Sequence, residues 1–450
     1  MQTQRDHVHA HQFQMARMSS ALILGDPSMA ENPMRRTVTG LLAGLLVALL
    51  GLLAFGVYGF IVPGGATAWR KPGAVIVEKE SGTQYVLVGG KLHPALNMAS
   101  AMIINGSGSR VELVSRNSLK DVPRGAPVGI HGAPQVLPAQ PADVVRGPWL
   151  ICLTGSASAT TASSLGFNFD PRAPAAVLPA DRFMFVSDGN AMYLLWRDHK
   201  HRVTDNRIPV ALGVPDVPAL RAPRSWLRSL ADGPDLRIPA IRGAGSAGRE
   251  IDGRPASVGQ LFRQQTVNGE QFFVLRDKGL APINRTMFQL LQAKGGPDPL
   301  DIGVAAVAAA PRSSDRSLTE AFTDLSASRW ESGREAALCA RQSPGANDTF
   351  TAQLVLTTKE FGGVRSDGTG KVVLSPGTAV LVYPAPRGLG KPPPFLIADV
   401  GLRYSLPDKD AMAAMRLPEA SLVPFPEDLL ELIPSGPALS RSMINTEREG

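Results

Sequence analysis

Five stretches of this 450-residue chain carry residue types that could do chemistry. Gly243-Ala244-Gly245-Ser246-Ala247-Gly248 matches G-x-G-x-x-G, a turn that lets backbone approach a dinucleotide pyrophosphate when a strand precedes it and a helix follows. Pro239 interrupts the run before it, and Ile251-Asp252-Gly253-Arg254-Pro255 after it cannot open a helix, so a flexible linker is expected there. Gly370-Lys371 and Gly390-Lys391 end like phosphate loops, but Val372 and Pro392 stand where a magnesium-binding hydroxyl is required, and Arg365 replaces the first glycine. Ser246 lacks the first glycine of a nucleophile elbow. His199-Lys200-His201 reads as an exposed turn between strands. Of His7, His9 and His11 only the first and last share a helix face, with no cysteine or further histidine to complete a metal set. No nucleophile, base and orienting acid converge in the pattern. Catalytic, cofactor-binding and metal residues are therefore each read as none.

Cys152 and Cys339 are the two cysteines, and no C-x-x-C occurs. If bonded, they close a long loop, to which the chain-entropy model assigns roughly 5 kcal/mol as an upper figure. Both lie beyond the apolar run described next, in a compartment where disulfides persist, so a structural disulfide is expected, with two buried free thiols or a redox pair as the alternatives.

The compartment follows from the element that must precede everything else. Val38 to Val62 holds twenty-five residues without a charge. As a helix it spans roughly 37 Å, more than the hydrocarbon core of a bilayer. Arg35 and Arg36 before it point to an amino terminus in the cytoplasm, and Trp69 after it suits the interface. A cleaved signal ending at Ala66-Thr67-Ala68 is the rival, but its apolar region would be about 7–15 residues long. A soluble core helix would not be apolar on every face. Ahead of the span, Val8, His11, Met15, Met18 and Leu22 form a narrow helical seam that stops at Gly25-Asp26-Pro27.

The net charge of +7 lies mostly beyond the span, because residues 1–37 contribute only +1. Outside the cytoplasm a basic balance does not signify nucleic acid. Beyond the span one pattern recurs: an apolar strand, a glycine turn, a second strand, a polar turn, then a short helix. Its first three copies turn at Ser81-Gly82, Asp188-Gly189 and Asn268-Gly269, and Asp-Gly and Asn-Gly are the strongest short-range hairpin signals. A fourth, around Phe395–Ala398 and Arg403–Ser405, is more divergent. Trp149–Leu153, Phe350–Leu356 and Ala379–Tyr383 read as strands outside the pattern. The expected class is α+β: a single N-terminal transmembrane helix, then an elongated periplasmic region with a discontinuous central β domain and four small hairpin/helix repeat units. The boundaries expected are a cytoplasmic tail over 1–37, the membrane helix over 38–62, and repeat units over 74–115, 181–222, 258–300 and 393–420. The central β domain is split between 120–180 and 315–390, with a linker over 223–257 and a C-terminal arm over 421–450.

The residues Arg5-Asp6 to Phe13, Asn32-Pro33-Met34-Arg35, Leu92-His93-Pro94-Ala95-Leu96-Asn97-Met98-Ala99-Ser100-Ala101, Gly147-Pro148-Trp149 with Cys152, and Ser375-Pro376-Gly377 to Tyr383 carry a resemblance over nearly the whole chain. It resembles the EccB family, membrane core components of the type VII (ESX) secretion systems of mycobacteria and related actinobacteria. The resemblance implies a single-pass inner-membrane protein with a periplasmic body, a disulfide-joined central domain and four repeats. It further implies a scaffold in a large oligomeric complex with an EccC-type ATPase, EccD, EccE and a mycosin protease as partners, and no cofactor. Members have also been labelled ATPases, so a nucleotide hydrolase without a recognisable Walker motif is the alternative; a cell-wall-binding module is the other.

Overall fold

The computed structural model describes residues 4–25, 35–61, 67–155, 165–216, 219–320, 322–333, 335–386 and 392–444. Asp26-Pro27, Asn32-Pro33-Met34, Val62, Ala66 and Gly390-Lys391 lie outside the described residues. The amino-terminal seam falls on a helix, Gln4–Leu24, with Val8, Met15, Met18 and Leu22 exposed. The helix Arg35–Ile61 follows, and its stretch Thr37–Gly59 is long and apolar enough to cross a membrane. It is the one such helix among the described residues. Its leucines and valines are exposed throughout, as an apolar surface waiting for lipid would be.

Four of the five sheets share one connectivity. In the first, Ala74–Glu78, Gln84–Val88 and Lys91–Pro94 form an antiparallel meander, the helix Met98–Asn105 crosses over, and Arg110–Val114 returns parallel to the first strand. The second has Arg182–Ser187, Met192–Trp196 and His199–Val203, the helix Arg207–Ala211 and the returning strand Leu220–Arg221. The third has Leu261–Thr266, Gly269–Arg276 and Gly279–Ile283, the helix Arg285–Ala293 and Leu300–Asp301. The fourth has Ala379–Ala385, Phe395–Ala398 and Arg403–Ser405, the helix Lys409–Ala414 and Val423–Pro426. After a further helical turn each chain closes on the outer side of its third strand, 32 positions on: Leu92 with Arg124, Lys200 with Asp232, Leu280 with Arg312, Arg403 with Ser435.

The fifth sheet is discontinuous in sequence. Trp149–Leu153, Leu165–Asn168 and Ala176–Val177 join Ala337–Pro344, Phe350–Thr357 and Val372–Val373 in one six-stranded sheet.

Several expected boundaries move. The strand Ala379–Ala385, expected in the central domain, opens the fourth sheet and pairs with Phe395–Ala398. Both of its faces are covered: Val380 and Val382 pack with Trp149 and Ile151, while Ala379 and Leu381 pack with Val75 and Val86 of the first sheet. A strand buried on both sides loses the apolar–polar alternation that would have identified its sheet. The expected linker 223–257 opens with a helix, Arg224–Arg228, whose Trp226 and Leu227 are buried, and the strand Ala231–Asp232 that closes the second sheet. The expected arm 421–450 supplies the fourth sheet's edge strand, and Phe425, Leu429, Leu430, Ile433 and Leu439 are fully buried. Burying those side chains is worth about 1.5–3 kcal/mol each in transfer free energy, which holds the segment down.

Candidate functional site

The residues singled out as chemical are taken up by structure. Gly243–Gly248 folds back on the segment that leads into the third sheet: the N–H of Gly245 donates to the Val258 carbonyl (2.9 Å), and that of Gly248 to the Ala256 carbonyl (2.8 Å). No helix follows it, so it presents no helix N-terminus to a phosphate, and it is not the flexible linker expected. Ser246 Oγ donates to the Gly243 carbonyl at 2.6 Å, the bond of a turn rather than of a nucleophile. Lys371 lies at the edge of the central sheet, its carbonyl accepting from Phe167 N–H (2.9 Å). His7, His9 and His11 are exposed on the first helix, and no group of three or more metal-ligating side chains occurs among the described residues.

His199-Lys200-His201 is not a turn but the third strand of the second sheet. His199 faces solvent; His201 is buried, over Gly233 and edge-on to Phe322 at 5.0 Å. Its Nδ1 is 2.9 Å from the Pro234 carbonyl, so it donates there as the neutral tautomer, and Nε2 has no partner among the described residues. Burial, reinforced by the neighbouring His199, holds its pKa below the ordinary 6.5.

The same placement recurs. The ring of His93 lies over Gly125, and that of Tyr404 over Gly436; a Cβ on either glycine would fall 2.2–2.3 Å from a ring atom. Each ring residue sits 32 positions before its glycine, in the register of the closing bridges. In the third sheet the equivalent positions are Ala281 and Ser313: a small residue on the strand, a larger one on the closing segment. The closing segment can approach only where ring and Cβ do not both occupy the space. Nothing in the hairpin pattern signals this contact, although the 32-residue spacing is visible once the strands are placed.

Cys152 and Cys339 stand directly opposite on the two middle strands of the central sheet, Cα atoms 3.9 Å apart and sulfurs at disulfide distance, 187 positions apart in sequence. Both are fully buried. One of the two strands precedes the second and third sheets and the other follows them, so the bond ties off everything between.

Other joints surround this tie. Trp226 Nε1 donates to the Ile151 carbonyl (2.8 Å), anchoring the second sheet's helix to the central strand. Asp198, in a turn with φ 63°, accepts the Leu354 N–H at 2.7 Å. Trp149, Phe169 and Phe425 meet at centroid distances of 5.2–6.0 Å between central and fourth sheets. Ser109 Oγ donates to the Ala414 carbonyl (3.1 Å), and the Arg416 guanidinium to the Ser109 carbonyl, joining first and fourth. Arg228 and Asp428 pair at 2.7 Å between second and fourth. Within the first sheet, the Arg116 guanidinium holds the buried Glu78 carboxyl below its ordinary pKa, with Tyr85 donating to the same group.

The model of the family described as "Type VII secretion system ESX-1, transport TM domain B" matches residues 1–450. The chain is similar to the ESX-3 secretion system ATPase EccB3 of Mycolicibacterium smegmatis, 28% identical over 476 residues that cover 97% of this chain and 89% of that protein. Among solved structures it is similar to a chain of an intact ESX-5 inner membrane complex (24% identical, TM-score 0.56, covering 100% of this chain and 96% of that one). It is also similar to one of an EccB3 dimer from the ESX-3 core complex (23%, TM-score 0.55, 82% and 99%). These structural likenesses establish a shared fold.

Proposed function

This chain belongs to the EccB family of type VII secretion membrane components, and from that premise we propose that it is a structural subunit of an ESX inner-membrane complex. It crosses the inner membrane once, keeps its amino terminus in the cytoplasm and holds its sheets in the periplasm as a frame for other components. The observation that carries the reading is the joined body: the central, second and fourth sheets share one core, the first and fourth share another, the third unit meets the second through Leu290 of its helix, and the cysteine pair clamps the strands on either side of a long insertion. A rigid frame offers partners fixed surfaces, and a buried cysteine pair suits an oxidising compartment. An EccC-type ATPase, EccD, EccE and a mycosin protease are the partners proposed.

The word ATPase in the relatives' names is not carried over. Among the described residues, Gly243–Gly248 and Gly370-Lys371 lie in turns that open no helix, and Val372 stands where a magnesium-binding hydroxyl is required after Lys371. Affinity purification of the full chain from mild detergent is expected to retrieve a large assembly that includes a multi-domain cytoplasmic ATPase. Recovery of monomer alone in several detergents overturns the proposal. Protease added to spheroplasts is expected to remove the body and spare the amino-terminal helix; protection of the body overturns the orientation.

A further inference from the structure

The failed phosphate loop that ends at Gly370-Lys371 lies on one wall of a cleft of about 450 Å³ between the central and fourth sheets. Phe167 and Val372 of the central sheet form its floor. Arg365 and Lys371 stand on the central-sheet wall, and Val400, Leu402 and Leu432 on the fourth-sheet wall. Val400 is 61% exposed. The walls meet at their base, where Gly401 sits so close to Val372 that a Cβ on it would lie 3.4 Å from the valine's own. The fold itself therefore sets the cleft's shape.

Neither cation is answered within the chain. Arg365 Nη1 donates to the Gly370 carbonyl (3.2 Å), which holds the guanidinium against its turn without neutralising it. The Lys371 backbone bonds to Gly363 and Phe167, and its ammonium has no partner among the described residues. The carboxylates nearby are engaged or stand outside. Asp367 feels Arg365 through space but accepts from the Thr369 N–H (2.9 Å) and hydroxyl (2.7 Å). Asp399 accepts from the Gly377 N–H (3.1 Å). Glu431 is exposed at the end of the helix Glu427–Leu430, outside the lining. Residues 156–164, which lead into Leu165 and lie outside the described residues, contain no carboxylate. The cleft thus sets unpaired positive charge opposite apolar surface. An extended polypeptide sends successive side chains to opposite sides, so alternating acidic and apolar residues satisfy both walls at once. A lipid carries its charge at one end with the apolar chain behind it, which does not match two unlike walls facing each other.

We propose that this cleft binds an extended segment of another polypeptide in which acidic residues alternate with apolar ones. The acidic side chains point to Arg365 and Lys371, and the apolar ones cover Val400, Leu402 and Leu432. This goes beyond the scaffold reading and does not depend on it.

The test uses the full chain in mild detergent and a fluorescent eight-residue peptide of alternating aspartate and valine, read by anisotropy. Saturable binding is expected, weakened about tenfold by Arg365→Glu combined with Lys371→Glu. Val400→Asp, which sets a carboxylate on the apolar wall, should weaken it about fivefold. A peptide of alternating lysine and valine should favour the Arg365→Glu/Lys371→Glu chain over the unsubstituted one by about tenfold, a reversal that misfolding would not produce. The same composition with all aspartates ahead of all valines should bind about tenfold more weakly than the alternating peptide, because it meets only one wall at a time. Equal binding of those two peptides, binding that ignores the charge reversal, or no binding at all overturns the proposal. Oleate that binds through Arg365 and Lys371 while the alternating peptide does not would make the cleft a lipid site and overturn it as well.

Discussion

Replacing Gly233 with serine should damage the second sheet, and replacing His201 with alanine in the same chain should undo much of the harm. A Cβ at 233 would lie 2.1 Å from His201 Cε1 and 2.4 Å from Nδ1. The ring cannot swing aside, because Nδ1 holds the Pro234 carbonyl and its edge meets Phe322. Forcing atoms into that space should cost about 2–3 kcal/mol. His201→Ala alone leaves a ring-sized void in a closed core, about 3 kcal/mol. Independent effects would together reach about 5–6 kcal/mol, since distant sites add. The third sheet carries alanine and serine at these positions, and there Ser313 Oγ accepts the N–H of Asp315 at 3.2 Å. Asp235 stands at the matching place after Gly233, so a new serine has a donor waiting. The double variant is therefore expected to lose about 2 kcal/mol, a coupling of about 3 kcal/mol. Hydrogen exchange of the amides in Met192–Trp196 and His199–Val203, measured in the full chain across a urea series, reads this locally. Strict additivity would refute the ring-for-side-chain exchange as the reason the closing segments fit.

Three further outcomes are expected. Because His201 is held neutral, the second sheet should keep full stability above about pH 6.5 and lose it as pH falls below that, where the unfolded chain takes up a proton first; exchange rates from pH 7.5 to 5 test this, and the His201→Ala/Gly233→Ser chain should show a flatter profile. Replacing Cys152 and Cys339 together with alanine should lower stability by up to about 5 kcal/mol from the 187-position span, read as a shift of the central-sheet urea midpoint that reductant reproduces in the unsubstituted chain. Asp198→Ala should cost about 1–3 kcal/mol by orphaning the Leu354 N–H, whereas Asp198→Asn, which keeps an acceptor and tolerates positive φ, should cost under about 1 kcal/mol by the same assay.

Much of the architecture is legible where local chemistry dictates it. Gly82, Gly189 and Gly269 all take positive φ in turns between the first two strands of their sheets, which is why the hairpins can be read directly. The uncharged run after Arg36 is read as a helix long and apolar enough to cross a membrane, and the structure has that helix. The returning strands cannot be read, since two residues such as Leu220–Arg221 carry no periodicity and their pairing is fixed by a helix crossing over. The segments 223–257 and 421–450 mislead for a related reason: proline and glycine punctuate them, while Trp226 and Phe425 are held by partners far away in sequence. At the candidate site the cysteines announce themselves by being two, but the rings over Gly125, Gly233 and Gly436 do not, because a missing Cβ leaves no mark until its neighbour is known.

The strand Trp149–Leu153 has one antiparallel neighbour close by, Leu165–Asn168, and the other, Ala337–Pro344, on the far side of two other sheets. As the chain lengthens from its amino end, the earlier strand therefore keeps one edge unpaired until the second and third sheets have followed it. Only when residues 337–357 arrive can the central sheet close and the two sulfurs meet. A molecule in which the two sulfurs have met has therefore already laid residues 337–344 against the earlier strand.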